Sequence, residues 1–155
     1  MIKIDQLSKH YRDLVAVNDI SFEVAKGEIV GFLGPNGAGK STTMKIITGF
    51  LPASSGRVEV AGGDVFEDPM QVRRSIGYLP EIPPVYPELT VREYLRFVGK
   101  LKKVPRKELT SEIDRVVGRL SLESVVDRLI RNLSKGYQQR TGFAQALLGN
   151  PPILI

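Results

Sequence analysis

The chain has 155 residues, 42% of them hydrophobic, with 22 Lys and Arg against 17 Asp and Glu and a formal charge of +5. That length and mix suit one globular domain with a real core and leave too little chain for two full domains. The lack of cysteine excludes disulfides and thiolate metal sites and fits a reducing compartment. No apolar run nears the roughly 18 residues that cross a bilayer, and the opening MIKIDQLSKHY lacks a secretory h-region, so a cytoplasmic protein is expected, reaching a membrane only through a partner.

In chain order, IKIDQLSKHY and VAVNDISFEV alternate apolar with polar and predict two half-exposed antiparallel strands over Ile2 to Val24. EIVGFLG, Glu28 to Gly34, is apolar with little alternation, which predicts a central strand covered on both faces. Lys40 to Thr48 reads as a helix closed by Gly49, RVEVAG as a return to strand, Val72 to Ser75 as a short helical piece, and SIGYLP as a second buried strand ended by proline. The proline-rich PEIPPVYP then separates an α/β half from a helical half.

The helical half opens with a capping box, Thr90 followed by Glu93, and carries Tyr94, Leu95, Val98 and Leu101 at helical spacing. Leu109, Ile113, Val116, Val117 and Leu120 repeat the stripe, and a third helix is expected from Ser134 to Leu148, after which the proline pair Pro151 and Pro152 precedes a strand at ILI. The basic run RFVGKLKKVPRK, Arg96 to Lys107, reads as a solvated helix face, with nucleic-acid or membrane-surface binding as the alternatives.

One segment carries explicit chemistry. GPNGAGKS, Gly34 to Ser41, fits G-x-x-x-x-G-K-[ST] between a predicted strand and a predicted helix. Phosphate oxygens need several donors at close range, and inward-pointing backbone N–H groups supply them only where φ can be positive and no side chain intervenes. Gly34, Pro35, Asn36, Gly37, Ala38 and Gly39 form such a loop, with Asn36–Gly37 making its turn. Lys40 brings a charge to the β and γ phosphates, Ser41 offers a hydroxyl to Mg²⁺, and Thr42 supports a neighbouring phosphate.

LSKGYQQRTGFAQALLGNPPILI, Leu133 to Ile155, resembles the signature helix of ABC-type ATPases running into the Walker B strand, and the whole chain resembles the first two thirds or so of an ABC nucleotide-binding domain. The resemblance implies an α/β P-loop NTPase fold with a RecA-like core, an antiparallel β layer and an inserted helical subdomain. It divides the chain into residues 1–88, the helical subdomain 89–136, and 137–155, the signature helix and the start of the Walker B strand. It also implies ATP and Mg²⁺ as ligands and a head-to-tail dimer. In that dimer Ser134, Lys135, Gly136 and Tyr137 face the nucleotide held by the other subunit. Lys135 and Tyr137 depart from the commonest L-S-G-G-Q, and the LSKGY form points to the ABC-2 exporter branch.

By the same resemblance Tyr11 stacks on adenine and Glu81 stands at the Q-loop position near Mg²⁺; an edge-strand Tyr and a solvated loop Glu are the competing readings. His10 is read as a surface residue. The Walker B carboxylates and the switch histidine fall past Ile155 in the family pattern. The expectation is therefore a fragment that binds ATP without hydrolysing it, from an ATPase at the inner face of the membrane with transmembrane permease partners and no nucleic acid. A soluble ABC ATPase and a nucleotide-binding regulatory module without turnover are the rival readings.

Overall fold

The computed structural model describes residues 1–155, which pack as two compact units, Met1–Ser75 and Ile76–Ile155. No helix is long and apolar enough to cross a membrane.

In the first unit, β1 (Ile2–Tyr11) and β2 (Leu14–Val24) form an antiparallel hairpin through the two-residue turn Arg12–Asp13. After helix α1 (Lys40–Ile47), β3 (Ser55–Val60) and β4 (Gly63–Asp64) complete a sheet ordered β2-β1-β3-β4, antiparallel throughout. This is the β layer that the alternation predicts. The alternation changes phase within β1: Ile2 and Ile4 are buried, and the next buried residue is Leu7. The extra residue is Gln6, at φ 48°, and the ladders to both neighbours slip there. The N–H groups that the irregularity frees find hydroxyls, Gln6 N–H donating to Ser21 Oγ and Asp19 N–H to Ser8 Oγ.

Helix α1 and a short helix α2 (Pro69–Ser75) contact this sheet and bury Ile46, Ile47 and Val72 alongside Val58, Val60 and Val65. Each fully buried aliphatic side chain is worth about 1.5–3 kcal/mol over the exposed state.

The predicted central strand at Glu28 to Gly34 does not form. The segment has no ladder partner and lies open, with Ile29 and Leu33 almost wholly exposed and Val30 exposed as well. A continuous apolar run becomes a buried strand only where neighbouring strands and helices flank it on both sides, and the sheet of its own unit does not extend to it. Only Phe32 is partly covered, its ring 5.6 Å from that of Phe22 on β2.

In the second unit, β5 (Ile76–Gly77) and β6 (Ile153–Leu154) pair in parallel, so SIGYLP yields a much shorter strand than predicted. The pairing runs on by one bond, from Leu79 N–H to the Ile155 carbonyl. Between them come α3 (Val91–Leu101), α4 (Leu109–Arg119) and α5 (Lys135–Leu147). The capping box is present in full: Thr90 Oγ1 accepts from Glu93 N–H, and the Glu93 carboxylate accepts from Thr90 N–H at 2.8 Å.

The predicted stripes close one core, in which Tyr94 and Leu95 of α3 meet Ile113, Val116 and Val117 of α4 and Ala144 of α5. The helices approach closely at Gly99, where an added Cβ would come within 2.4 Å of Leu109 Cδ1.

The C-terminal end of α5 is held by cations from both other helices. Lys102, just past α3, donates to the carbonyls of Gln145, Ala146 and Leu148 at 2.7, 3.1 and 3.2 Å. Arg115 of α4 donates to the Leu147 carbonyl at 3.0 Å while forked onto Glu112, whose carboxylate also accepts from Gly149 N–H. These carbonyls have no acceptor role left within the helix, and cations at the negative end of its dipole are favourable.

Candidate functional site

In the first unit the glycine loop leads straight into α1, whose N-cap is Gly39 at φ 82° with no side-chain cap and no acidic residue in the first turn. Gly39 N–H and the amides of the first turn therefore point out of the helix with no intrahelical acceptor. Gly39 is fixed by more than its dihedral: a Cβ there would lie 2.3 Å from the Ala16 carbonyl oxygen and 3.1 Å from Val17 Cγ2. The loop thus rests directly on β2, and only glycine fits between them. Gly37, at φ 85°, has open space around it, so its requirement is conformational alone. Ala38 N–H closes the turn onto the Pro35 carbonyl at 3.2 Å.

Lys40 extends back across this loop, its Nζ donating to the carbonyls of Gly34 and Pro35 at 2.6 and 2.7 Å. The ammonium therefore sits over the backbone of the loop whose amides it would complement. Of the three hydroxyls that follow, Thr43 is buried and donates to the Gly39 carbonyl, whereas Ser41 is exposed and Thr42 partly so. From Ile29 to Gly56 there is no acidic residue. The donor set of backbone N–H groups, one ammonium and free hydroxyls at a helix N-terminus fits a polyanion and would repel none of its charge.

Tyr11 ends β1 opposite Leu14, and the strand that returns from that turn carries Ala16 and Val17 to the loop. Tyr11 is exposed, and Lys9 Nζ lies over its ring, 5.3 Å from the centroid. Val17 is buried and serves the core. His10 is exposed, as expected. The first unit accordingly gathers Gly34 to Thr42 into one site and places the Tyr11 hairpin end on the strand that supports it.

The remaining predicted residues belong to the second unit. Ser134 caps α5, its Oγ accepting from Tyr137 N–H at 3.4 Å, and Lys135 and Gly136 stand exposed in the first turn. With no acidic residue in that turn, the α5 N-terminus has a second set of outward amides. Tyr137 behaves differently from its neighbours: its ring packs against the helical core, under the Arg140 guanidinium at 5.5 Å. A residue facing inward in this way offers an outside ligand its backbone rather than its side chain. Glu81 is exposed, and its carbonyl accepts from Gln139 Nε2 at 3.3 Å, which ties the loop to α5.

Two supporting residues carry no signal in the sequence. Gln138 Nε2 donates to the carbonyls of Ile130 and Leu133 and so fixes the chain's entry into α5. Ala16 matters only through its backbone oxygen beneath Gly39.

A profile of the ABC transporter family matches residues 17–155. The glycine betaine/carnitine/choline transport ATP-binding protein OpuCA of Bacillus subtilis is 39% identical across the whole chain, which covers 42% of that protein. A solved ATP-binding subunit of an ABC transporter superposes with a TM-score of 0.90 at 31% identity, over 99% of this chain and 64% of the other. The dimeric post-hydrolysis ATP-binding cassette MJ0796, bound to ADP and Pi, gives a TM-score of 0.88 at 26% identity, over 99% and 72%. The chain spans about half the length of the curated relatives it matches.

Proposed function

From a chain that belongs to the ABC transporter family, we propose the ATP-binding subunit of a membrane exporter of the ABC-2 type. The observation that carries nucleotide binding is the loop of Gly34 to Ser41 seated on β2, with unpartnered amides at the α1 N-terminus and Lys40 lying across it. The amides and Lys40 would hold the β and γ phosphates, Thr42 would support a neighbouring phosphate, and the Tyr11 face would take the adenine. Ser41, with Glu81 brought to the same ion, would complete the oxygen ligands of Mg²⁺. On binding, the Lys40 ammonium exchanges two carbonyl acceptors for phosphate oxygens, trading neutral partners for charged ones.

Ser134, Lys135, Gly136 and the Tyr137 backbone would meet the nucleotide of a second subunit, since one chain cannot readily offer two helix N-termini to one phosphate. Two sandwiched ATP molecules and a head-to-tail dimer follow from that reading. The LSKGY form supports the exporter branch, and Tyr137, packed inward, would offer its backbone where the commonest pattern has a Gln side chain. The helical subdomain, residues 89–136, and the loop after Glu81 would press on transmembrane permease subunits at the cytoplasmic face of the membrane.

Hydrolysis is assigned to the whole protein, with these 155 residues binding ATP without sustained turnover. Phosphoryl transfer depends on an oriented nucleophile as well as on charge stabilisation, and the loop alone does not orient one.

Calorimetry with MgATP on the wild-type chain and Lys40→Ala tests the core of the proposal. The variant should lose binding at unchanged fold, and unchanged affinity would overturn the phosphate site. Purification with hydrophobic membrane subunits supports the transport role, and purification with nucleic acid instead refutes it.

A further inference from the structure

The two ends of α3 are treated very differently. At the N-terminal end Arg92 is paired with Asp127 at 2.8 Å and with Asp114 at 3.7 Å. At the other end, from Tyr94 to Lys107, the chain carries no acidic residue and six cations. Lys102 turns inward to α5, leaving Arg96, Lys100, Lys103, Arg106 and Lys107 exposed. Arg96 has the Glu93 carboxylate one turn back as an electrostatic neighbour, and none of the five makes a contact ion pair, although Arg57, Arg92 and Arg115 all do. Arg96 and Lys100 are like charges at i and i+4 on the helix, an arrangement that costs about 0.2–0.5 kcal/mol, and beyond Glu93 the helix offers no acidic residue to offset it.

Apolar surface runs beside these charges. Phe97 and Leu101, also at i and i+4, are 41% and 65% exposed. Next to them a recess of about 430 Å³ is lined by Lys100 and Arg106 together with the apolar Val104 and Leu109. An interface that is anionic on its surface and hydrocarbon beneath accommodates the cations and the exposed Phe97 and Leu101 together.

We infer that the C-terminal end of α3 and the turn to α4 form a docking surface for anionic phospholipid headgroups. Lys100 and Arg106 take a headgroup phosphate at the mouth of the recess, Arg96, Lys103 and Lys107 lie against neighbouring headgroups, and Leu101 enters the acyl boundary. Bilayer fits better than nucleic acid because base stacking needs free aromatic faces. The rings beside the patch, Phe97 and Tyr86, pack on one another in a T-shaped contact at 5.5 Å, and Tyr86 packs further onto Tyr94. The surface lies within the second unit, on the same helical subdomain proposed above to meet permease subunits, and it is argued from its own charges and apolar side chains rather than from nucleotide binding.

The test is flotation of the 155-residue chain with vesicles of phosphatidylglycerol and phosphatidylcholine, and with phosphatidylcholine alone. Association should require phosphatidylglycerol and weaken as salt is raised. The pair Lys100→Glu and Arg106→Glu should lower it by at least about twenty-five-fold, from about five-fold per cation lost at the surface. Leu101→Gln should weaken binding without altering its salt dependence. The pair Lys26→Glu and Arg119→Glu makes the same change in net charge on other exposed positions and should stay close to wild type. No association with anionic vesicles, equal losses in both charge-reversed pairs, or capture of a single-stranded oligonucleotide in place of vesicles would each overturn the assignment.

Discussion

Replacing Gly39 by alanine separates the conformational requirement of the glycine loop from its steric one. An L-residue held at φ 82° costs about 1–2 kcal/mol relative to glycine. The new Cβ would also stand 2.3 Å from the Ala16 carbonyl oxygen, and no rotamer relieves that contact, because both atoms belong to backbone. Relief requires β2 or the loop to move by about an ångström, and forced shifts of this kind cost about 1–3 kcal/mol. Gly39→Ala should therefore lose about 2–5 kcal/mol. Gly37→Ala is the internal control: its φ is 85°, but nothing lies within 4 Å of the added carbon, so only the conformational cost of about 1–2 kcal/mol applies. Urea unfolding of both variants beside wild type, at matching slopes, gives the difference directly. If the two lose the same stability within about 0.5 kcal/mol, the loop does not rest on β2 as described.

Three further outcomes are expected. Desolvation pushes the Lys102 pKa down to about 8, so above that pH the unfolded chain holds more protons than the folded one, and unfolding free energy should rise with pH until the lysine range of the unfolded chain is reached. Lys102→Met should flatten this rise in denaturation curves taken across that window, and an equally steep profile in the variant would remove the lysine as its source. Gly99→Ala drives a methyl into Leu109 Cδ1 and should cost roughly 1–3 kcal/mol, with Leu109→Val recovering part of the loss in the double variant; strictly additive losses would place the strain elsewhere. Glu81→Gln should alter the Mg²⁺ dependence of ATP binding while leaving metal-free affinity nearly unchanged, measured by titrating affinity against Mg²⁺; identical dependence would leave Glu81 a loop residue.

Local rules carried those parts of the fold whose causes lie within a few residues of one another. The Thr90–Glu93 box, the stripes of α3 and α4, the Ser134 cap and the glycine loop all stand where their spacing puts them, because capping and amphipathicity are decided inside one helix. The run from Glu28 to Gly34 misled because a buried strand depends on neighbours that its own letters do not contain. The phase change at Gln6 was hidden for a similar reason: the close approach of Gly56, whose Cβ would stand 2.3 Å from the Gln6 carbonyl oxygen, brings together positions far apart in sequence. At the candidate site the course of the glycine loop into α1 was legible in the sequence. The inward turn of Tyr137, the grip of Gln138 and the floor beneath Gly39 were not, since each rests on contacts that only the folded chain brings together.

The clamp on the far end of α5 governs how force travels through the helical unit. A helix of 13 residues spans about 20 Å, and this one has Ser134 at one end and carbonyls gripped by Lys102 and Arg115 at the other. A helix free at its C-terminus absorbs a push by sliding along its groove or unwinding its last turn. Here sliding would break four hydrogen bonds from two different helices together, and fraying is opposed by the same four. The three helices consequently turn as one lever. A small tilt imposed on α3 or α4 is delivered at Ser134 as a sideways displacement scaled by that 20 Å arm, about 2 Å for a tilt of about six degrees.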